Sequence, residues 1–151
     1  MYSYPFPKAD NTVDIIIYRV NAKEEAEVLL IRRGNKPDQV FPNCLAIPGG
    51  FINMNETLEQ SALRELEEET RVILDSVEQF GTYGDPGRDP RGRVISTVFS
   101  ANVPYDTKAV ASDDAAEGSA VWLSLYTKWE EMDMAFDHAK ILTDFADFAN
   151  S

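Results

Sequence analysis

Three glutamates are spaced so that one face of a helix could hold a metal ion: Glu65, Glu68 and Glu69. At about 100° per residue, the steps i, i+3 and i+4 place the three carboxylates within a face roughly 100° wide. Like charges this close repel one another, and a divalent cation that prefers oxygen ligands, Mg²⁺ or Mn²⁺, would offset the repulsion. The spacing therefore predicts a divalent metal site. The alternative is a solvated acidic surface in a chain that is acidic throughout.

The element that must position these carboxylates is an amphipathic helix. Apolar side chains recur at helical spacing, without an intervening Pro or Gly, at Leu58, Ala62 and Leu66. The pattern predicts a helix of roughly three to four turns that begins after Asn55 or Thr57. Glu67 points about 100° away from Glu68, so we expect it to face solvent.

The surrounding residues, 49–72, follow a fixed pattern. They resemble the Nudix box, the signature of the Nudix hydrolases, G-x5-E-x7-R-E-U-x-E-E-x-G-U, where U is a bulky aliphatic residue. The matching residues are Gly50, Glu56, Arg64, Glu65, Leu66, Glu68, Glu69 and Val72. Arg71 stands where the pattern has its second glycine. If that position is left-handed, an arginine there costs on the order of 1 kcal/mol.

In that family, the glutamates of the R-E-U-x-E-E segment bind Mg²⁺. The resemblance implies that the three glutamates of the helix are catalytic residues as well as metal ligands, and that Gly50 and Glu56 belong to the same metal site. We expect Arg64 to pair with a carboxylate such as Glu56.

Hydrolysis of a diphosphate also needs a base that takes a proton from water. Family members differ in which glutamate serves. Here the alternatives are Glu65 and a residue from a downstream acidic loop, for which we choose Glu117, with Asp113 and Asp114 as close rivals.

Length and charge limit the classes of function. The 151 residues, 44% of them hydrophobic, are typical of one globular domain, which we expect to span residues 1–151. The net charge of −12 argues against nucleic acid or an anionic membrane as partner. With Cys44 as its only cysteine the chain forms no intrachain disulfide, and it carries no signal peptide or membrane span, so we expect a cytoplasmic protein.

An acidic chain that acts on phosphates needs local positive charge. Two stretches supply it: the basic loop 32–37 and the irregular segment 84–93. Guanidinium groups match diphosphate oxygens geometrically, so we expect four arginines to bind substrate: Arg33, Arg88, Arg91 and Arg93. The alternatives are a solvated loop for the first stretch and internally paired charges for the second.

The remaining elements form a sheet around the helix. β-branched and aromatic runs predict strands at 12–20, 26–32, 45–48, 94–103 and 120–125, and a turn followed by a strand within 73–83. The first two strands form a hairpin, and Pro48-Gly49-Gly50 predicts a tight turn. Apolar spacing predicts a last helix over 136–148. It carries His138, for which we expect packing or capping rather than catalysis.

Three further segments, GDPGRDPRGRVIS, SDDAAE and AFDHAKIL, resemble the bacterial ADP-ribose pyrophosphatase-like branch of the Nudix hydrolases. The resemblance implies an α/β fold with a mixed β-sheet sandwiched between helices. It implies a metal-dependent hydrolase of a small-molecule nucleotide, with cleavage of ADP-ribose to AMP and ribose 5-phosphate favoured.

Two alternatives remain: a Nudix enzyme for another nucleotide, such as an oxidised nucleoside triphosphate or a dinucleotide, and a non-catalytic nucleotide-sensing domain. Some relatives carry an added winged-helix domain and act as repressors, and a chain that stops after one domain favours the stand-alone enzyme. A homodimer is expected by resemblance. Four aromatic residues could stack on the base, and the sequence does not choose among them: Tyr4, Phe6, Phe51 and Tyr83.

Overall fold

A long apolar strand near the N-terminus is the centre of a mixed β-sheet. The computed structural model describes residues 1–110 and 120–151. In these ranges the strands are β1 (Asp10–Val20), β2 (Ala26–Arg32), β3 (Leu45–Ala46), β4 (Gly49–Phe51), β5 (Glu78–Tyr83), β6 (Val94–Asn102) and β7 (Ala120–Ser124). The helices there are α1 (Leu58–Thr70), a short 3₁₀ turn (Trp129–Glu131) and α2 (His138–Ala149).

The sheet is mixed because β1 runs parallel to β6 and antiparallel to β2 and β4. The main path runs β3-β2-β1-β6-β5, and β7 adds to β2 as a further antiparallel neighbour. The β1–β2 pair confirms the predicted hairpin.

The two helices lie on opposite faces of the sheet. Alternate residues of β1 point to opposite faces. Val13, Ile15 and Ile17 join a buried cluster with Ala62 and Leu66 of α1. Ile16 instead joins the cluster that contains Ile141, Leu142 and Phe145 of α2. This arrangement confirms a mixed sheet sandwiched between helices.

Helix α1 begins and ends at residues with defined caps. The Thr57 side chain accepts a hydrogen bond from the Gln60 amide, and the Gln60 side chain accepts one from the Thr57 amide, which forms a capping box. At the other end Arg71 adopts the left-handed conformation, with φ 64°, and its amide donates to the Glu67 carbonyl. The backbone therefore has the shape that the missing glycine would favour, and an arginine occupies it.

The prediction of a tight turn at Pro48-Gly49-Gly50 was wrong. The chain bends at Pro48 and then forms strand β4, in which Gly49 pairs with Asp14 and Gly50 with Val13. Neither glycine has a positive φ. A Cβ on Gly49 would lie 2.1 Å from the Val13 carbonyl oxygen, so close approach of the backbone, not turn geometry, requires glycine there.

The other boundaries differ by a few residues. The last helix begins at His138 rather than residue 136, because Phe136 has a positive φ of 53° that a helix does not accommodate. His138 is buried, as expected for a packing role. Across the described ranges, no helix has the length and apolar character needed to cross a membrane.

Candidate active site

Helix α1 directs two of its glutamates toward β4. The Gly49 amide donates a hydrogen bond to Glu69 Oε1 over 3.3 Å. A Cβ on Gly50 would lie 2.5 Å from the carboxyl carbon of Glu65, so only glycine lets this carboxylate approach the strand. The box glycine and two box glutamates, far apart in sequence, therefore meet at one point.

Arg64 fixes the carboxylates on the outer side of this point. Its Nε donates to both carboxylate oxygens of Glu56 over 2.9 and 3.1 Å, and its Nη1 donates to Glu65 over 2.8 Å. The same nitrogen reaches Glu68 over 3.4 Å. The predicted pairing of Arg64 with Glu56 is confirmed. Hydrogen bonds from Ser61 and then Arg64 hold the pKa of Glu56 below its usual range.

Glu65 and Glu69 lie in surroundings where burial makes a charged carboxylate costly. Burial, reinforced by the nearby charge of Glu65, raises the pKa of Glu69 to about 8. Burial also raises the pKa of Glu65, although Arg64 opposes the shift. A cation beside these two groups would favour their charged forms.

The donor chemistry therefore fits a divalent cation, because crowded carboxylate oxygens are the ligands that such ions prefer. The side chains are not drawn together around one point: among the described residues, no group of three or more His, Cys, Asp or Glu is arranged to hold an ion. Glu68 in particular remains 58% exposed at the rim.

Glu69 opens onto a cleft between the sheet and the start of α2. The lining residues are Thr12, Asp14, Ile31, Arg33, Ala46, Ile47, Gly49, Gly50, Phe51, Glu69, Arg88, Asp89, Arg91, Phe136 and His138. Three of the four predicted substrate-binding arginines are in this set. The fourth, Arg93, lies outside it and donates to the Gly84 carbonyl instead.

The three cleft arginines differ in how they are held. Arg88 forms a bidentate pair with Asp137, and Arg91 forms one with Asp89. Burial alone would lower the pKa of Arg88, but its hydrogen bonds to Asp137 raise it. The internal pairing expected for segment 84–93 is therefore present for Arg91 with Asp89, whereas Arg88 pairs with a residue outside the segment. Both arginines still reach the cleft.

Arg33 is held differently. Its Nε donates to the Val40 carbonyl over 2.8 Å, and it forms no ion pair with any described residue. Burial, and then the neighbouring Arg91, lower its pKa. A half-buried guanidinium beside another cation favours a bound anion.

Two aromatic rings flank the arginines. The Arg91 guanidinium lies 4.9 Å from the Phe51 ring centroid and 5.5 Å from that of Phe136. Arg33 lies 5.2 Å from the same Phe136 ring. Of the four aromatic residues considered for base stacking, Phe51 is the one that lines the cleft.

The other three lie elsewhere. Tyr4 and Phe6 are exposed near the N-terminus, where Lys8 contacts both rings. Tyr83 donates to Asp144 on α2.

Phe136 and Asp14 also line the cleft, although neither was predicted as a site residue from the sequence. The apolar spacing of 136–148 predicts that Phe136 belongs to the last helix. Its positive φ of 53° excludes it from that helix. Asp14 carried a usable signal, because an acidic residue inside the β-branched run TVDIII is out of place in a buried strand. Glu117 and its rivals Asp113 and Asp114 lie outside the described residues.

Comparison with known proteins gives consistent results. The NUDIX domain model matches residues 10–145. The chain is 36% identical to an ADP-ribose pyrophosphatase from Methanocaldococcus jannaschii over 99% of its own length and 78% of that protein. It is 31% identical to an ADPR responsive transcriptional repressor, NtrR, from Acinetobacter baylyi over 92% of its length, but it spans only about half, 53%, of that protein.

A solved structure matches the whole fold. The NUDIX domain of Shewanella oneidensis NrtR, crystallised with ADP ribose, superposes with a TM-score of 0.81 at 29% identity, over 97% of this chain and 94% of that one.

Proposed function

Because the chain belongs to the Nudix hydrolase family, we propose that it hydrolyses ADP-ribose at the diphosphate bridge to AMP and ribose 5-phosphate. The observation that carries the proposal is the cleft itself. Box residue Glu69 faces the same space as Arg33, Arg91 and the ring of Phe51. The cleft thus combines one of the three box glutamates proposed to hold a cation with arginines for phosphates and an apolar plane for a base.

Enzymes of this family generally use divalent metal ions, and here the residues that would hold one are Glu65, Glu68 and Glu69. We assign Mg²⁺, with Mn²⁺ as a chemically equivalent substitute. The ion would supply Lewis acidity at the bridge and lower the pKa of the attacking water. Glu56 acts indirectly, because it anchors Arg64, which in turn orients Glu65.

The arginines receive the diphosphate. Arg33 offers its two terminal nitrogens, and Arg91 offers the side of its guanidinium that Asp89 does not occupy. Because Asp89 and Asp137 already hold Arg91 and Arg88 in place, little side-chain freedom is lost when substrate binds. The same two pairs keep the positive charge of an acidic protein inside the cleft.

The adenine base stacks on the aromatic and cationic wall made by Phe51, Arg91 and Phe136. The rings already hold one planar group, the Arg91 guanidinium. Every nucleobase presents a similar face, so this wall gives affinity for a base rather than a choice among bases.

The proton of the attacking water goes to a glutamate, either Glu65 or Glu117. Of these two, only Glu65 lies in the part of the chain that the structure describes. Burial raises its pKa, and the hydrogen bond that it accepts from Arg64 fixes one of its oxygens. A Glu117→Gln variant with normal turnover would leave the role to Glu65.

Phosphate release from a nucleotide panel tests the proposal. Each nucleotide is incubated with Mg²⁺, with and without alkaline phosphatase. Cleavage of ADP-ribose yields phosphate monoesters, so release should require the phosphatase. Because alkaline phosphatase itself needs metal ions, the effect of EDTA is measured without it, and EDTA should abolish the formation of AMP. Release confined to a nucleoside triphosphate would contradict the choice of substrate.

A second candidate function follows from the similarity to an ADPR responsive repressor. In that case the cleft would bind ADP-ribose without cleaving it. Calorimetry separates the two functions: tight binding of intact ADP-ribose in Mg²⁺ with no AMP formed after prolonged incubation would favour sensing.

A further inference from the structure

Asp14 is a buried carboxylate at the floor of the cleft. It lies on the α2 face of β1, where the register places it opposite Gly49 in β4 and Val98 in β6. Its side chain is only 9% exposed, yet it is among the residues that line the cleft. A charged group in the middle of a central strand requires a partner, since burying an unpaired carboxylate is costly.

The described residues satisfy only part of the hydrogen-bonding capacity of the Asp14 carboxylate. Asp14 Oδ2 accepts a hydrogen bond from the Ser96 hydroxyl over 2.5 Å. Oδ1 lies 3.6 Å from His138 Nε2, beyond hydrogen-bond distance, and no other described group donates to it. An ionised carboxylate has room for about four donors, so most of the capacity of Oδ1 is unused.

His138 does not neutralise Asp14. The Ile47 amide donates to His138 Nδ1 over 3.0 Å, so that nitrogen carries no proton and the ring is neutral. Burial also lowers the pKa of His138. The nearby guanidinium of Arg88 is bound to Asp137 instead.

We propose that Asp14 accepts a hydrogen bond from a ribose hydroxyl of the bound nucleotide and thereby selects ribose over deoxyribose. A carboxylate accepts a hydrogen bond or binds a cation but repels a phosphate, and the arginines of the same cleft take the phosphates. Because the α1 glutamates are assigned to the metal ion, we assign a hydrogen-bond donor to Asp14. In a nucleoside diphosphate sugar, hydroxyls are the donors adjacent to the phosphates. The identity of the ligand rests on the proposed function, whereas the requirement for a donor rests on the geometry of Asp14.

The test compares ligands that differ by one hydroxyl. Calorimetry in Mg²⁺ would measure the affinity of AMP against its 2′-deoxy and 3′-deoxy forms, and of ribose 5-phosphate against 2-deoxyribose 5-phosphate. A hydrogen bond to a charged acceptor predicts that the wild-type protein prefers the ribose form by roughly 10- to 100-fold in one series. The series that shows the preference identifies which of the two riboses Asp14 contacts.

Asp14→Asn should reduce that preference to within about threefold, because the charged acceptor is lost while the shape is kept. Asp89→Asn is the matched control. It also removes a buried carboxylate of the cleft, but it frees Arg91 and should weaken ribose and deoxyribose ligands equally. Ser96→Ala should lower the preference by a smaller factor, and it decides the question if the Asn variant does not fold.

Two results would overturn the proposal: a wild-type protein with no preference in either series, and a preference that survives in Asp14→Asn. In the second case, Mn²⁺ binding without nucleotide that weakens at least tenfold would make Asp14 a metal ligand, and a sharp fall in the melting temperature would make it structural. A preference that Asp14→Asn removes would stand even if the wild-type protein did not cleave ADP-ribose.

Discussion

The two sides of the cleft carry opposite excess charge and are built in different ways. At α1, Glu56, Glu65 and Glu68 share a single arginine, Arg64, and Glu69 accepts a hydrogen bond from the Gly49 amide. On the opposite wall, Arg88 and Arg91 each have an aspartate, and Arg33 has no ion pair with a described residue. The acidic side is therefore incomplete without a cation, and the basic side is incomplete without an anion. A metal-bound diphosphate, the substrate form that we propose, would supply both.

The acidic side should give the largest effect. Replacing Glu69 or Glu68 by Gln keeps the shape but removes a charge that a metal ion needs. We expect turnover to fall by at least roughly a hundredfold for each variant, without unfolding, since metal-ion catalysis contributes several kcal/mol. Steady-state rates on ADP-ribose in Mg²⁺ provide the measurement.

Glu67→Gln is the matched control for these variants. Glu67 is exposed on the same helix and lines no part of the cleft, so its turnover should stay within about twofold, as is usual for surface positions. Near-normal turnover in both the Glu68 and Glu69 variants would contradict the assignment of these glutamates as metal ligands.

The basic side should affect binding more than chemistry. We expect Arg33→Gln to raise KM by roughly 10- to 100-fold with a smaller change in kcat, because charge-assisted hydrogen bonds to phosphate are lost. Arg93→Gln, outside the cleft, should behave like the wild-type protein. Equal KM values for Arg33→Gln and Arg93→Gln would contradict the assignment of phosphate binding to the arginines of the cleft.

In the metal-free protein no cation neutralises the carboxylates of α1, so its unfolding free energy should depend on pH through Glu69. The folded-state pKa of Glu69 is raised to about 8, whereas an unfolded glutamate titrates near 4.3. Between these values the folded chain holds a proton that the unfolded chain has lost. This group therefore makes the unfolding free energy fall as pH rises from about 4 to 8.

Denaturant titrations from pH 5 to 9 in EDTA would measure this contribution. Glu69→Gln should gain stability relative to the wild-type protein across that window, by up to a few kcal/mol, and saturating Mg²⁺ should cancel the gain. A constant difference between the two proteins from pH 5 to 9 would show that burial does not perturb this carboxylate.

The two sides also differ in how far the sequence predicted them. The α1 carboxylates are neighbours on a helix, so spacing alone places them, and Arg64 with Glu56 followed from the same local pattern. The opposite wall joins residues from β1, the loop after β2, segment 84–93 and the start of α2. Composition indicated its arginines but gave no means of separating Arg93 from Arg91.

Backbone strain and close approach were the features least visible in the sequence. Phe136 belongs to an apolar stripe that predicts helix, and only its positive φ places it on the cleft wall. Gly49 and Gly50 look like a turn, but β4 uses them to approach β1 and Glu65. Both cases depend on contacts between distant segments, which single-residue preferences do not contain.

The smallest effect is expected at Arg71, where the sequence departs from the box. Its φ of 64° costs a non-glycine residue roughly 1 kcal/mol, but glycine also raises the entropy of the unfolded chain. Arg71→Gly should therefore change the unfolding free energy by less than about 1 kcal/mol, in the stabilising direction. Turnover should stay within a few-fold, because this exposed residue does not line the cleft.

Arg71→Ala is the control that separates the effect of the backbone conformation from that of the side chain. It keeps the left-handed strain and removes the side chain, so it should be no more stable than the wild-type protein and equally active. If both variants lost activity, the guanidinium itself would act at the site. If only the glycine variant changed turnover, the geometry at the end of α1 would control the glutamates one turn before it, and the two sides of the cleft would be less independent than their separate construction indicates.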